Sequence, residues 1–372
     1  MPPTEKDSKE FSIDPWGETV VEDYGRVFKE FGIEPLPPIL SQIPNPSTMM
    51  RRGVIFGHRD LPRVLEAHKK GKEFAVMSGI KPSGEFHLGN LLTAKEIVYF
   101  QKMGGQAFYC IADIEAYEDN NQSLETSEQV AVGNVADILA LGFDPEKGHI
   151  YRQSKENRVK DLSFIFGRTV TLNMIKAIYG ERQVGLYQAA LVQAGDVLLP
   201  QLKEVGGPKP TVVPVGIDQD PHLRLTRDLA QRFESTYKFI PPSSTYHQLI
   251  KSLTGAPKMS KRDPMSYFTL DEPLGTIKKK VMSSFTGGRA TVEEQRRLGA
   301  NPDICPIYDL ARFIFMDDDR ELKRMYDDCK SGKLLCGECK TMRFELVSKF
   351  VKEHMRKREQ LIDKARQILE IA

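Results

Sequence analysis

Residues 74–90, FAVMSGIKPSGEFHLGN, pass from a short apolar run into a glycine-bearing loop and then into a helical period. The same alternation continues downstream. A helical period over 88–103 is followed by the run AFYCIAD at 107–113, a helical stretch 127–141, HIYRQS at 149–154 and a helical stretch 160–178. A further unit has a helical stretch 186–199, the run TVVPVGI at 211–217 and a helix opening at Asp218. Short β-branched or aromatic runs separated by helical periods predict a parallel sheet, so the fold class is α/β, a Rossmann-type doubly wound sheet. Parallel strands place their ligand at their carboxyl ends, and the loops after residues 79, 112 and 217 are expected to line a pocket.

On either side of this region the pattern changes. Residues 1–70 carry clustered prolines (Pro35, Pro37, Pro38, Pro44, Pro46) between short apolar pieces and read as an N-terminal extension packed on the sheet unit. After about residue 272 the strand signals stop. Leu346, Val347, Phe350, Val351, Met355, Ile362, Ile368 and Leu369 form one apolar stripe, which predicts a long final helix. The expected division is 1–70 extension, 71–270 Rossmann-type unit with a helical insertion, and 271–372 α-helical C-terminal domain. No internal repeat or low-complexity tract is present.

The chain has 372 residues, 40% hydrophobic and 28% charged, which is the composition of a globular protein and not of a disordered or collagen-like one. No apolar run approaches the ~20 residues of a membrane helix, and the start MPPTEKDSKE is charged where a signal peptide is apolar. A cytoplasmic protein without a membrane partner is expected. The net charge of +2 favours no partner, but residues 278–300 hold a local excess of four positive charges, and 340–372 are again basic. Either a solvated helix face or a contact with a phosphate backbone accounts for such runs.

Two motifs carry chemistry. In GIKPSGEFHLGN at 79–90, Gly79, Gly84 and Gly89 allow close backbone approach, and helix amides with an imidazole stabilise charge on a phosphate. In PKMSKRD at 257–263, Lys258, Lys261 and Arg262 fall within five positions, as suits a phosphoryl transition state. Singly, the first is also a glycine-rich turn with a buried histidine, and the second a solvated loop. Together they resemble the paired HIGH and KMSKS signatures of class I aminoacyl-tRNA synthetases.

Within that class VVPVGIDQDPHLRLTRDLA at 212–230 resembles the signature of tryptophanyl-tRNA synthetases, and the resemblance runs from about residue 53 to the C-terminus. FGHRDL at 56–61, GGRATVEEQRRLGANPD at 287–303 and FMDDDRELKRMYDDCKSGKLLCGECK at 315–340 are similar to the archaeal and eukaryotic branch. MSGIKPSG at 77–84 and VQAGDVLL at 192–199 look more like the bacterial one. The resemblance implies a tryptophan–tRNA ligase that activates L-tryptophan with ATP and Mg²⁺, releases pyrophosphate, and charges tRNA(Trp) as a homodimer with an anticodon-binding C-terminal domain. It implies that His87, Asn90, Lys258 and Lys261 are catalytic. ATP would be held by Gly79, Pro82, Ser83, Gly84, Gly89, Gly216, Asp218, Met259, Ser260 and Arg262. Tryptophan would be held by Met77, Glu115, Gln193, Asp196 and Gln219. The signature's second histidine is Asn90 here, which donates a hydrogen bond but carries no charge, and its final serine is Arg262, which adds a cation. For Asp196 and Gln219, helix capping or a solvated face is the alternative.

A tyrosyl-tRNA synthetase shares the fold but typically has a tyrosine on the first strand, where Met77 stands without a donor for a phenol. A noncatalytic tRNA- or nucleotide-binding homologue is the other alternative, disfavoured by intact HLGN and KMSKR. Cys305, Cys329, Cys336 and Cys339 leave twenty-three, six and two residues between successive members. By resemblance to family members with four cysteines here, they are candidates for a 4Fe–4S cluster or zinc; disulfides and buried thiols are the alternatives.

Overall fold

The computed structural model describes residues 28, 29, 31–256, 259 and 263–371. Seven strands form one sheet in the order β1-β2-β7-β6-β3-β4-β5. They are β1 (Glu34–Pro35), β2 (Ile55–Arg59), β3 (Ala75–Ile80), β4 (Gln106–Ile111), β5 (Gly148–Arg152), β6 (Thr211–Gly216) and β7 (Ser243–His247). From β7 to β5 every neighbour is parallel, while β1 and β2 extend the sheet antiparallel. The four strands read from the sequence are β3 to β6.

Side chains alternate across a strand, so each contributes to both faces. Val76, Ile80, Tyr109 and Ile111 enter one core with the helices Leu88–Lys102 and Leu124–Ala140 and with Val347 and Val351 of the C-terminal helix Cys336–Glu359. Ala75, Met77, Phe108 and Cys110 enter the other, with helices Asn157–Gly167, Val184–Leu198 and Asp220–Arg232. The sheet is therefore wound on both faces, a Rossmann-type α/β fold with a helical C-terminal region. Among the described residues no helix is long and apolar enough to cross a membrane.

Four differences from the sequence reading have physical causes. β7 reads SSTYH, all five residues buried, and its polar side chains hid it from a search for apolar runs. Part of the proline-rich stretch is not draped over the sheet but pairs into it as β1 and β2. The helical stretch 160–178 is two helices, Asn157–Gly167 and Leu172–Tyr179, the second capped by Thr171. The final helix breaks after Glu359 and resumes as Ile362–Ile368 with the apolar stripe still facing the core.

Candidate active site

The strand order reverses between β3 and β6, whose chains leave in opposite directions across the sheet. Such a switch point opens a crevice at the carboxyl ends. A cleft of about 500 Å³ lies there, lined by the loops after β3, β4 and β6 and by the end of β7. Its lining includes Ser83, His87, Gly89 and Asn90 from the loop after β3, together with Met77, Glu115, Gln193 and Asp196.

His87 caps the helix Leu88–Lys102. Its Nδ1 accepts from the Gly89 amide at 3.1 Å, and its own amide donates to Asn90 Oδ1 at 3.0 Å. An imidazole that accepts at Nδ1 carries its proton on Nε2 when neutral, so the ring presents a donor on its other side. Gly89 is required for this arrangement, because a Cβ there would lie 2.9 Å from the His87 ring. Gly79 has a different reason: a Cβ would lie 2.6 Å from the Cys110 carbonyl oxygen on the neighbouring strand, so glycine here lets β3 and β4 close. Tyr267, just beyond the second signature, meets the His87 ring edge-to-face at 6.0 Å.

Asp196 is buried in helix Val184–Leu198, and a Cβ at the preceding Gly195 would lie 2.7 Å from the Val159 carbonyl oxygen. That glycine permits the close helix crossing which sets Asp196 against the sheet. Tyr151 Oη donates to its Oδ1 at 2.8 Å and Gln153 Nε2 to its Oδ2 at 2.5 Å. Burial nevertheless dominates these bonds and pushes the carboxyl up to about 7. A buried carboxylate with donors on both oxygens retains lone pairs for one more donor from the cleft. Glu115 is in the first turn of helix Asp113–Asn120, directly after β4. Lys81 holds it at 3.7 Å and pairs with Asp119.

Of the residues expected from the sequence, His87, Asn90, Gly79, Ser83, Gly89, Gly216, Asp218, Met259, Met77, Glu115, Gln193, Asp196 and Gln219 line this one cleft. Pro82 and Gly84 do not line it; their carbonyls accept from Gln122 at 2.6 Å and Asn134 at 3.3 Å, which braces the loop. Lys258, Ser260, Lys261 and Arg262 lie outside the described residues. A family model described as tRNA synthetases class I (W and Y) matches residues 69–352. The tryptophan–tRNA ligase of Methanocaldococcus jannaschii is 43% identical over 97% of this chain and 99% of its own. That of Archaeoglobus fulgidus is 42% identical over 94% and 97%. The crystal structure of tryptophanyl-tRNA synthetase from the hyperthermophilic archaeon Aeropyrum pernix K1 matches with a TM-score of 0.91 and 42% identity, covering 96% of this chain and 99% of that one. The chain belongs to the tryptophanyl-tRNA synthetases.

Membership in that synthetase family makes it an aminoacyl-tRNA ligase whose reaction joins tryptophan to tRNA, and use of ATP with Mg²⁺ follows from the family. The residues missed from the sequence stand at strand ends. Gln153 follows β5 and His247 closes β7, and both line the cleft. His247 Nε2 is 3.3 Å from Thr93 Oγ1, one turn beyond Asn90. The signal that would have found Gln153 was its place directly after HIYR, at the carboxyl end of a strand.

The four C-terminal cysteines come from three segments, Cys336 and Cys339 sharing one helix, yet line one cavity of about 20 Å³ with Lys340. No disulfide joins any of the five cysteines in this structure. Burial, reinforced by the other thiols, pushes Cys329 up to about 11 and Cys339 up to about 12. Among the described residues no group of three or more His, Cys, Asp or Glu is set to hold a metal ion. The four sulfurs line one cavity but, as placed, do not form a coordination set.

Proposed function

We propose that the cleft at the β3/β6 switch point activates L-tryptophan and that the following step charges tRNA(Trp), with the work divided among the residues named above. In the first step a carboxylate oxygen of tryptophan attacks the α-phosphorus of ATP. The bond to the bridging oxygen breaks and pyrophosphate leaves with that electron pair. In the second, a terminal ribose hydroxyl of tRNA attacks the carbonyl carbon and AMP departs. The nucleophile of the first step is already ionised, so catalysis there is positioning and charge stabilisation. The His87 Nε2–H and the Asn90 amide donate to the phosphates, Ser83 and Gly89 border them, and Gly216 and Asp218 hold the ribose. Lys258 and Lys261, with Arg262 beside them, take up the charge that moves onto pyrophosphate. Mg²⁺ bound with ATP would supply neutralisation of phosphate charge. Asp196 accepts the indole N–H, and Gln219 with Glu115 holds the amino group, while Gln193 borders the ring.

The observation that carries this reading is that a protonated-Nε2 imidazole at a helix start and a buried, doubly held aspartate open onto the same cleft. Met77 lines it without a polar donor, which favours an indole over a phenol and tryptophan over tyrosine. ATP–pyrophosphate exchange with each of the twenty amino acids, without tRNA, is the test. Exchange with tryptophan alone is expected; exchange with tyrosine overturns the assignment of the pocket, and none at all returns the chain to a noncatalytic binding role.

The division into an extension (1–70), a catalytic unit (71–270) and an anticodon-binding helical unit (271–372) belongs to the same reading, as does a cytoplasmic location. A homodimer is supported by Phe164, Leu172 and Val184, which are 75%, 56% and 76% exposed on the helices between β5 and β6. Sedimentation at micromolar concentration reads the dimer directly. Cys305, Cys329, Cys336 and Cys339 share one cavity and, drawn closer together than they now stand, would hold a 4Fe–4S cluster or zinc that clamps the helical unit for RNA contact and takes no part in the chemistry. Metal analysis of protein purified without oxygen tests this, and metal-free protein that charges tRNA at full rate removes it.

A further inference from the structure

Arg358 stands near the end of helix Cys336–Glu359, far in sequence from the catalytic loop, yet its side chain reaches that loop. Its Nε lies 3.0 Å from Asp137 Oδ1 and its Nη2 lies 3.7 Å from Glu85 Oε2. Asp137 is buried in helix Leu124–Ala140 and also receives His354 Nε2 at 2.7 Å on the same oxygen. Asp137 with His354 already joins the two helices. The reach to Glu85 is an addition, and it passes over Gly133, where a Cβ would lie 2.6 Å from Arg358 Nη2 and 3.8 Å from Glu85 Oε2. Glycine within a helix weakens it relative to alanine. Here the absent side chain is the space the guanidinium occupies.

The far end of this contact is close to the chemistry. Glu85 lies two residues before His87, with the fully buried Phe86 between them. The preceding Gly84 carbonyl is held by Asn134 Nδ2 at 3.3 Å, so helix Leu124–Ala140 and its passenger Arg358 grip two adjacent loop residues. With its side chain 46% exposed, Glu85 in an ion pair contributes little to stability. Its effect is on where the loop lies. A displacement at Glu85 passes through Phe86 to a histidine whose amide and ring are both committed to the helix cap.

We propose that Arg358 is a positioning residue for adenylate formation: by crossing the Gly133 notch to Glu85 it holds the His87 loop in its reactive place and ties the C-terminal helices to the first chemical step. This rests on the reading of His87 given above. The test compares Gly133→Ala, Glu85→Gln and their double variant in the full chain by tryptophan-dependent ATP–pyrophosphate exchange and by urea unfolding. Gly133→Ala moves only the end of a flexible side chain and adds helix propensity, so its unfolding midpoint is expected to equal or exceed that of the unaltered chain. Its kcat is expected to fall about tenfold with KM for tryptophan unchanged, as for a misplaced catalytic group. Glu85→Gln should lose a similar factor, and the double variant no more than the worse single one, since both break one contact. Undiminished kcat in Gly133→Ala, or losses that multiply in the double variant, overturns the proposal. Absence of exchange in the unaltered chain would overturn the functional reading instead.

Discussion

Arg59 Nη1 lies 2.7 Å from Asp220 Oδ1, joining β2 to the first residue of the helix that follows Gln219. Tyr246 Oη donates to the same oxygen at 2.6 Å, and Arg224 Nε lies 3.2 Å from Oδ2. The pair is nearly closed to solvent, so its two charges depend on each other. Asp220→Asn leaves Arg59 buried without its counter-charge, an expected loss of about 3–5 kcal/mol. Urea unfolding measures the loss, and exchange kinetics should show a raised KM for tryptophan because the neighbouring Gln219 shifts.

His87 serves both as helix cap and as phosphate donor, and two substitutions separate the roles. His87→Asn keeps a preferred capping residue, whereas His87→Ala removes the cap at about 1 kcal/mol. Both should lower kcat for exchange by about 10²–10³ with little change in tryptophan KM. If His87→Asn retains full kcat, the charge-stabilising role of the ring is removed and only the cap remains.

Asp196→Asn should raise KM for tryptophan at least about tenfold and leave KM for ATP unchanged. An amide in that place sets its NH₂ against one of the two donors already there, Tyr151 and Gln153. Because burial holds the Asp196 carboxyl near 7, its ionised form, the stronger acceptor, appears as pH rises through about 7. The kcat/KM for tryptophan should therefore rise over that interval, and the rise should be lost in the asparagine variant.

Glu96 is wholly buried behind the cleft. Thr245 Oγ1 donates to its Oε2 at 2.7 Å, its Oε1 has no hydrogen-bond partner among the described residues, and burial pushes the carboxyl up to about 8. The folded chain thus keeps a proton that the unfolded chain releases near the ordinary glutamate value of 4.5. Between these values the folded state binds more protons, so stability falls as pH rises, by up to about 1.4 kcal/mol per pH unit, and levels off above about 8. Denaturant unfolding from pH 5 to 9 should show that slope, and Glu96→Gln should flatten it.

Cys336→Ser should abolish tRNA charging while sparing pyrophosphate exchange, since the four cysteines lie apart from the cleft on the helical side of the molecule. Unchanged charging would sink the idea that they shape RNA contact.

The sequence by itself determined four of the five parallel strands, the loops that border the cleft and part of the set of residues that line it. A parallel strand writes itself as an apolar run, and phosphate chemistry needs glycine, imidazole and ammonium groups at short local spacings. It also marked Asp196, though only by likeness to a family motif. What the tertiary structure decided is everything that depends on partners distant along the chain. β7 is polar and owes its burial to β2 and β6 on either side. Gln153 and Tyr151 matter only because the Gly195 crossing brings Asp196 onto them. Arg358 reaches Glu85 across more than half of the chain, through a gap one missing Cβ wide. Local periodicity specifies elements, but a carboxyl's proton affinity and an ion pair's existence are set by which elements pack together, and that is a property of the folded core alone.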